Sequence, residues 1–293
     1  MKKELIQYNL LLHLVVLILG FTAILGKLIS LPAYELVWYR MMIAVVALLM
    51  IMALKKQKLQ LPFRDILKLS GIGVIIAVHW ICFFHAIKVS NVSVTLGCLS
   101  VTTLFTSFIE PLIERRKISL IEVIIGLVII FGIYIIFQFE TRFLLGIIFT
   151  LFAAFFASLF SVLNKQIATK YKPDVTSFYE MLSGFICITL FLFLFNDVST
   201  LKLRLSTPDL IYLLLLGVVC TAFAFSTTVK IMQKLTAYQV VLAINLEPIY
   251  GILAAYFIFG ESEHMSTGFY FGASIILASV VFYTFWRGRK KVI

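Results

Sequence analysis

Charge is what this chain has least of. Lys, Arg, Asp and Glu together make only 13% of 293 residues, against 62% hydrophobic residues and a mean hydropathy of +1.07. A soluble domain of this size cannot carry that balance, so a polytopic membrane protein is expected. Cysteine is scarce too: Cys82, Cys98, Cys187 and Cys220 all lie inside apolar runs, without metal-ligand spacing or the density of a disulfide framework. They read as small packing residues. No H-E-x-x-H pair, paired acids or nucleophile with a nearby base marks an intramembrane enzyme, and no resident cofactor is expected. Phe21 stands where a phosphate loop ending at Gly26-Lys27 requires glycine, which excludes a primary pump of that kind. A channel has no glycine-rich filter or ring of like charge to support it. Long polar segments are also missing: the two longest connections, residues 55–66 and 196–209, are too short to fold alone.

What the chain does have is ten apolar runs, each close to the roughly 20 residues a helix needs to cross about 30 Å of hydrocarbon. They span residues 8–26, 33–54, 67–87, 92–113, 119–138, 144–167, 175–195, 209–230, 237–259 and 267–286. The expected fold is all-α. Continuous runs, with 28 Phe among them, exclude the alternating pattern of an outer-membrane barrel. The first run extends to Gly26 with no A-x-A-like cleavage site after it, so it reads as a retained helix rather than a signal peptide.

Basic residues fix an expected orientation. With the first end cytoplasmic, 19 of the 25 Lys and Arg fall on the cytoplasmic side, five (Lys27, Lys88, Arg142, Lys202 and Arg204) fall outside, and Arg40 lies within a helix. Both termini are therefore expected in the cytoplasm, with the protein in the cell inner (plasma) membrane. The net charge of +11 becomes an orientation signal facing anionic lipid, and nucleic-acid binding need not be invoked.

The halves repeat one another at an offset of roughly 140 to 147 residues. Gly26-Lys27 falls on Asn164-Lys165, Pro32 on Pro173, Lys88-Val89-Ser90 on Lys234-Leu235-Thr236, and Glu114 on Glu261, each acid followed by a glycine (Gly126, Gly272). Repeats of five helices, an odd number, must insert in opposite senses. The expected domains are residues 1–139 and 140–293, two inverted five-helix repeats, with a substrate site near the midplane between them.

Asn245-Leu246-Glu247-Pro248-Ile249-Tyr250-Gly251, running on to Phe259-Gly260-Glu261, resembles the ninth-helix signature of EamA-type carriers in the drug/metabolite transporter superfamily. Trp38-Tyr39-Arg40-Met41, Ala86-Ile87-Lys88-Val89-Ser90 and a first helix ending in Gly-Lys resemble the first-repeat markers of that family. The resemblance implies ten helices, a central cavity and alternating access, commonly for export of amino acids or related metabolites. One departure is that Val101 stands where the second repeat has Pro248, so Glu110-Pro111 and Glu247-Pro248 are not expected to be equivalent.

Ionisable residues inside the membrane cost about 2.5 to 3.5 kcal/mol each on insertion scales and need a reason to be there. Helical rise places Glu247 near the midplane and Arg40 roughly 10 Å below the outer surface. Two readings stand: a switch that opens and closes during transport, or a permanent pair that neutralises both charges. Pro248 is expected to kink the ninth helix beside Asn245, with Tyr250 one turn on, and either faces ligand or only shapes packing. His79 is either a proton relay or a histidine hydrogen-bonded to a neighbouring helix. Trp80 either walls the substrate or packs in the core. Glu180 lies about 8 Å above the inner surface, with Lys165, Lys170 or Lys230 as candidate partners in an inner gate, or else snorkels to the interface. Gly97, Ser100, Ser107, Ala154, Ala157, Ser161 and Asn164 read first as small contact residues.

These features favour a secondary carrier exporting small organic metabolites, amino acids leading, with protons as the candidate coupling ion, acting as a monomer or homodimer in the lipid bilayer. An uncoupled facilitator, or a flippase for metabolites or lipids, is the alternative.

Overall fold

The computed structural model describes residues 2–115, 117–167, 170–195, 204–232, 244 and 246–290. Within them the chain is almost entirely helical, with no strand. The helices are α1 (Lys2–Leu28), α2 (Ala33–Leu54), α3 (Phe63–Val89), α4 (Val92–Leu99), α5 (Thr102–Glu114), α6 (Leu120–Phe139), α7 (Leu144–Ile167) and α8 (Pro173–Phe195). A composite helix follows: α9 (Thr207–Leu214), a π-helical stretch (Leu215–Phe223) and α10 (Ala224–Met232). Then come α11 (Glu247–Phe259) and α12 (Thr267–Lys290).

Among the described residues eight helical spans are long and apolar enough to cross a membrane, counting α4 with α5 and α9 with its continuation. The ten runs expected from sequence fall short at the ninth, whose first half, residues 237–243, lies outside the described residues. The tenth, α12, is helical for 24 residues, of which Thr267–Tyr283 is the described apolar part.

Local chemistry explains the boundaries. Asn91 accepts the Val94 amide at 2.9 Å and starts α4, and Ser119 with Glu122 forms a reciprocal capping box at α6. Pro32 and Pro62 stand just before α2 and α3, where a missing N–H costs no helical bond. The run at 92–113 is interrupted rather than continuous. Ser100 and Val101 turn tightly between α4 and α5, with Val101 donating to the Cys98 carbonyl at 3.1 Å, a spacing of three residues.

The core sits between the two halves of the chain: α2 packs on α8 and on the π-helical stretch, α3 on α7 and α8, α1 on α11, α5 on α7, and α6 on α12. Leu127, Ile130, Phe131 and Tyr134 of α6 point outward and exposed, the face that lipid would cover. Backbones approach most closely where side chains vanish. A Cβ at Gly73 of α3 would collide with the Glu180 carbonyl oxygen on α8, and one at Gly217 would lie 3.3 Å from the Arg40 carbonyl oxygen on α2.

Polar contacts gather at the two ends of the bundle. At one end Lys27 pairs with Glu263 at 2.7 Å, and Glu263 also accepts the Val92 and Ser93 amides at 3.2 and 2.8 Å. Asp209 there holds the Ser30 amide and hydroxyl, both at 2.7 Å. At the other end Lys165 pairs with Glu110 and Glu114 at 2.7 and 3.0 Å, Lys55 with Asp174 at 2.8 Å, and Lys170 with Asp65 at 2.7 Å. Hydrogen bonding to Asp65 holds the exposed Lys170 ammonium above the usual lysine range.

Candidate functional site

Arg40 lies at the centre of the helices that could form a site. It is 1% exposed, although guanidinium is among the groups least willing to leave water. Its Nε donates to Thr221 Oγ1 at 2.7 Å, its Cζ sits 3.6 Å from the Trp80 ring centroid and 5.5 Å from that of Phe84, and its Nη1 is buried without a hydrogen-bond partner. Thr221 can accept this bond because it lies in the π-helical stretch, where its hydroxyl also donates to the Leu216 carbonyl five residues back at 2.7 Å. Cys220 and the Thr22 hydroxyl of α1 border the same place. Helices α1, α2 and α3, the π-helical stretch and α11 therefore converge on one positive charge.

Glu247 is the acid whose charge acts on Arg40. No ion pair closes between them: the Arg40 side chain is held by Trp80 and Thr221 instead. The Arg40–Glu247 pair is therefore open in this structure, with the two groups within electrostatic reach of one another. Pro248 stands in the first turn of α11, directly after the turn at Leu246, and residues 241–243 and 245, on which the expected kink depends, lie outside the described residues. Asn245 lies outside the described residues, as does Lys234-Leu235-Thr236. Tyr250 packs beside Leu12, Val15 and Val16 of α1, away from the Arg40 contacts.

His79 is hydrogen-bonded to a neighbouring helix. Its Nδ1 donates to the Ala153 carbonyl of α7 at 2.8 Å, and its ring lies against Phe83 and Phe160. Trp80 is buried at 4% exposure as the platform under Arg40, edge-on to Phe225.

Glu180 overturns both of its expected roles. The candidate lysines are elsewhere, Lys165 with Glu110 and Glu114, Lys170 with Asp65, and Lys230 exposed, so no inner gate forms around it. Nor does it snorkel: it is 0% exposed and neither carboxylate oxygen has a hydrogen-bond partner. Glu110 is buried as well, paired with Lys165. Helical rise gives a residue's height but not the direction in which it faces, which is why height alone named the wrong partners.

Sequence reasoning missed Thr221, Thr22 and Cys220, which sit in apolar stretches with no distinguishing pattern, and the Lys27–Glu263 pair, whose members are 236 residues apart. Among the described residues no cluster of His, Cys, Asp and Glu could hold a metal ion, and all four cysteines are free thiols.

With this geometry in view, comparison with known proteins is informative. Residues 7–138 and 144–285 each match the EamA-like transporter family. No protein of curated function matches the chain. A crystal structure of another protein shares 16% sequence identity and superposes with a TM-score of 0.65, covering 94% of this chain and 97% of that one, a likeness of fold alone. Matched in both halves, the chain belongs to the EamA-like transporter family, multi-pass membrane transporters of small molecules.

Proposed function

We propose that the protein is a secondary carrier for small zwitterionic metabolites, amino acids first, working by alternating access between two inverted five-helix repeats, residues 1–139 and 140–293. The observation that carries this reading is the buried Arg40 guanidinium with an unpartnered Nη1 beside a carboxylate, Glu247, that does not neutralise it. A guanidinium and a carboxylate held apart complement the carboxylate and ammonium of an amino acid. Arginine suits the first task because its planar fork matches a carboxylate.

The contacts support two related halves, and the positions of the closures favour inverted repeats over parallel ones. Gly73 against the Glu180 carbonyl oxygen and Gly217 against the Arg40 carbonyl oxygen are corresponding contacts, each offset by 140 to 147 residues, with the halves exchanged. Likewise Lys27 ends α1 and pairs beyond α11, while its counterpart Lys165 ends α7 and pairs with α5 at the opposite end of the bundle. Two such closures, one at each end, are the parts alternating access requires. The basic-residue count supports cytoplasmic termini in the plasma membrane, and export is the direction the family resemblance favours.

The test is uptake by purified protein in liposomes of labelled amino acids, sugars and nucleosides, with and without a pH gradient. Gradient-driven accumulation of an amino acid, lost in Arg40→Ala, is the expected result. Equilibration indifferent to the gradient identifies the facilitator instead, and transport by Glu247→Gln with unchanged pH dependence removes Glu247 from coupling.

A further inference from the structure

We infer that Glu180, with Thr176, Ser177 and Asn164, forms a buried binding site for a monovalent cation, a proton or a sodium ion, separate from the Arg40 site. Thr176, Ser177 and Glu180 are each 0% exposed on α8, at spacings of three and four residues that place them on one stripe of the helix. Asn164 of α7 faces the Glu180 carboxylate. Thr176 Oγ1, Ser177 Oγ, Asn164 Oδ1 and both Glu180 carboxylate oxygens are buried and lack hydrogen-bond partners.

A folded chain does not leave such a group empty-handed at no cost. Buried polar atoms are almost always paired, and an isolated buried carboxylate is among the most expensive groups a protein can hold. The unpartnered atoms are all oxygens, and the group that turns toward the carboxylate, the neutral Asn164 amide, brings it no positive charge. A positive charge completes it and an anion does not.

No protein cation fills that role among the described residues. On the helices packed against α8, Arg40 is held by Trp80 and Thr221, Lys55 pairs with Asp174, and Asp65 is occupied by Lys170. His79 is bonded to the Ala153 carbonyl and Lys88 to the Ile29 carbonyl, while Arg64, Lys68 and Lys230 are exposed. On α7, Lys165 is taken by Glu110 and Glu114.

The position gives the site a role. The Glu180 backbone carbonyl stands against Gly73 as the Arg40 carbonyl stands against Gly217, so corresponding positions of the two halves carry one charged residue of each sign. A cation at Glu180 and a substrate carboxylate at Arg40 would discharge both together, which links cation loading to substrate loading. That link rests on the carrier reading; the cation site rests only on its own oxygens.

The experiment therefore measures cation binding without substrate, on the full-length protein in lipid nanodiscs. Binding of radioactive sodium is followed directly, and thermal melting is compared in sodium chloride and choline chloride from mildly acidic to mildly alkaline pH. Saturable sodium binding with a sodium-dependent rise in melting temperature, abolished in Glu180→Gln and weakened about tenfold in apparent affinity in Thr176→Val or Ser177→Ala, establishes sodium. A wild-type melting temperature that ignores sodium but falls on alkalinisation, with Glu180→Gln flattening the fall, establishes the proton. Wild type and variants that respond alike to both variables overturn the proposal, and if Glu180→Gln fails to fold the hydroxyl variants decide on the same readouts. Sodium or proton binding with no transport of any amino acid would sink the carrier reading while leaving the cation site standing.

Discussion

The Arg40 guanidinium and the Trp80 indole are stacked components of one unit, 3.6 Å from Cζ to the ring centroid. The indole covers one face, Thr221 occupies Nε, and Nη1 is left as a donor with nothing to donate to. Trp80 therefore does more than fill space: it lets a cation exist in a dry interior without an acid to neutralise it. A desolvated cation–π contact of this kind is worth about 2 kcal/mol.

Replacing Arg40 with Lys keeps the charge and removes the fork. The expected result is a loss of about tenfold or more in apparent affinity for carboxylate-bearing substrates, about 1.4 kcal/mol, read from concentration-dependent uptake in liposomes. Trp80→Leu is expected to lower both affinity and thermal stability, because Arg40 then loses its platform. An Arg40→Lys variant that transports like wild type would mean that the fork meets no substrate.

The two terminal closures are expected to oppose one another. Lys27→Ala weakens the end that holds Ser30 and Glu263, and Lys165→Ala weakens the end that holds Glu110 and Glu114. With a single reporter cysteine at position 93, buried at the Lys27 end, in a background free of native cysteine, maleimide labelling should speed up in Lys27→Ala and slow down in Lys165→Ala. Equal acceleration in both variants would point to loosened packing rather than alternation. Glu263→Ala should be harsher than Lys27→Ala, costing about 1–3 kcal/mol, since it leaves the buried Val92 and Ser93 amides without their acceptor while Lys27 keeps Ser262.

Apolar runs of near-membrane length set most helix boundaries, and these were legible because hydrocarbon imposes a length and a composition on every span. The interruptions were not. Ser100-Val101 contains neither Pro nor Gly, yet the chain tightens there, and Leu215–Phe223 widens into a π-helix with no proline in it and only Gly217 and Thr221 among its apolar residues. Arg40 was found because a charge in an apolar run is conspicuous; its partners Trp80 and Thr221 depend on which way α3 and the π-helical stretch face once packed. Glu180 was visible for the same reason as Arg40, and misassigned for the same reason as Thr221.

The contact that holds α3 to α8 offers the sharpest energetic test. A methyl group at Gly73 meets the Glu180 carbonyl oxygen and the Ser183 hydroxyl, and since the first of these is backbone, relief requires the helices to part. Gly73→Ala is therefore expected to destabilise the protein by about 1–3 kcal/mol, and to perturb cation binding at Glu180. Gly217→Ala meets the Ile43 side chain at 2.6 Å, which can shift, so its cost should be smaller. Gly71, two residues before Gly73 in the same helix, has nothing within 4 Å of an added Cβ, and alanine there should stabilise α3 by up to about 1 kcal/mol through helix propensity alone. Thermal melting of the three variants in one lipid gives the ranking directly. If Gly73→Ala proves as stable as Gly71→Ala, the close α3–α8 approach is not formed in the membrane.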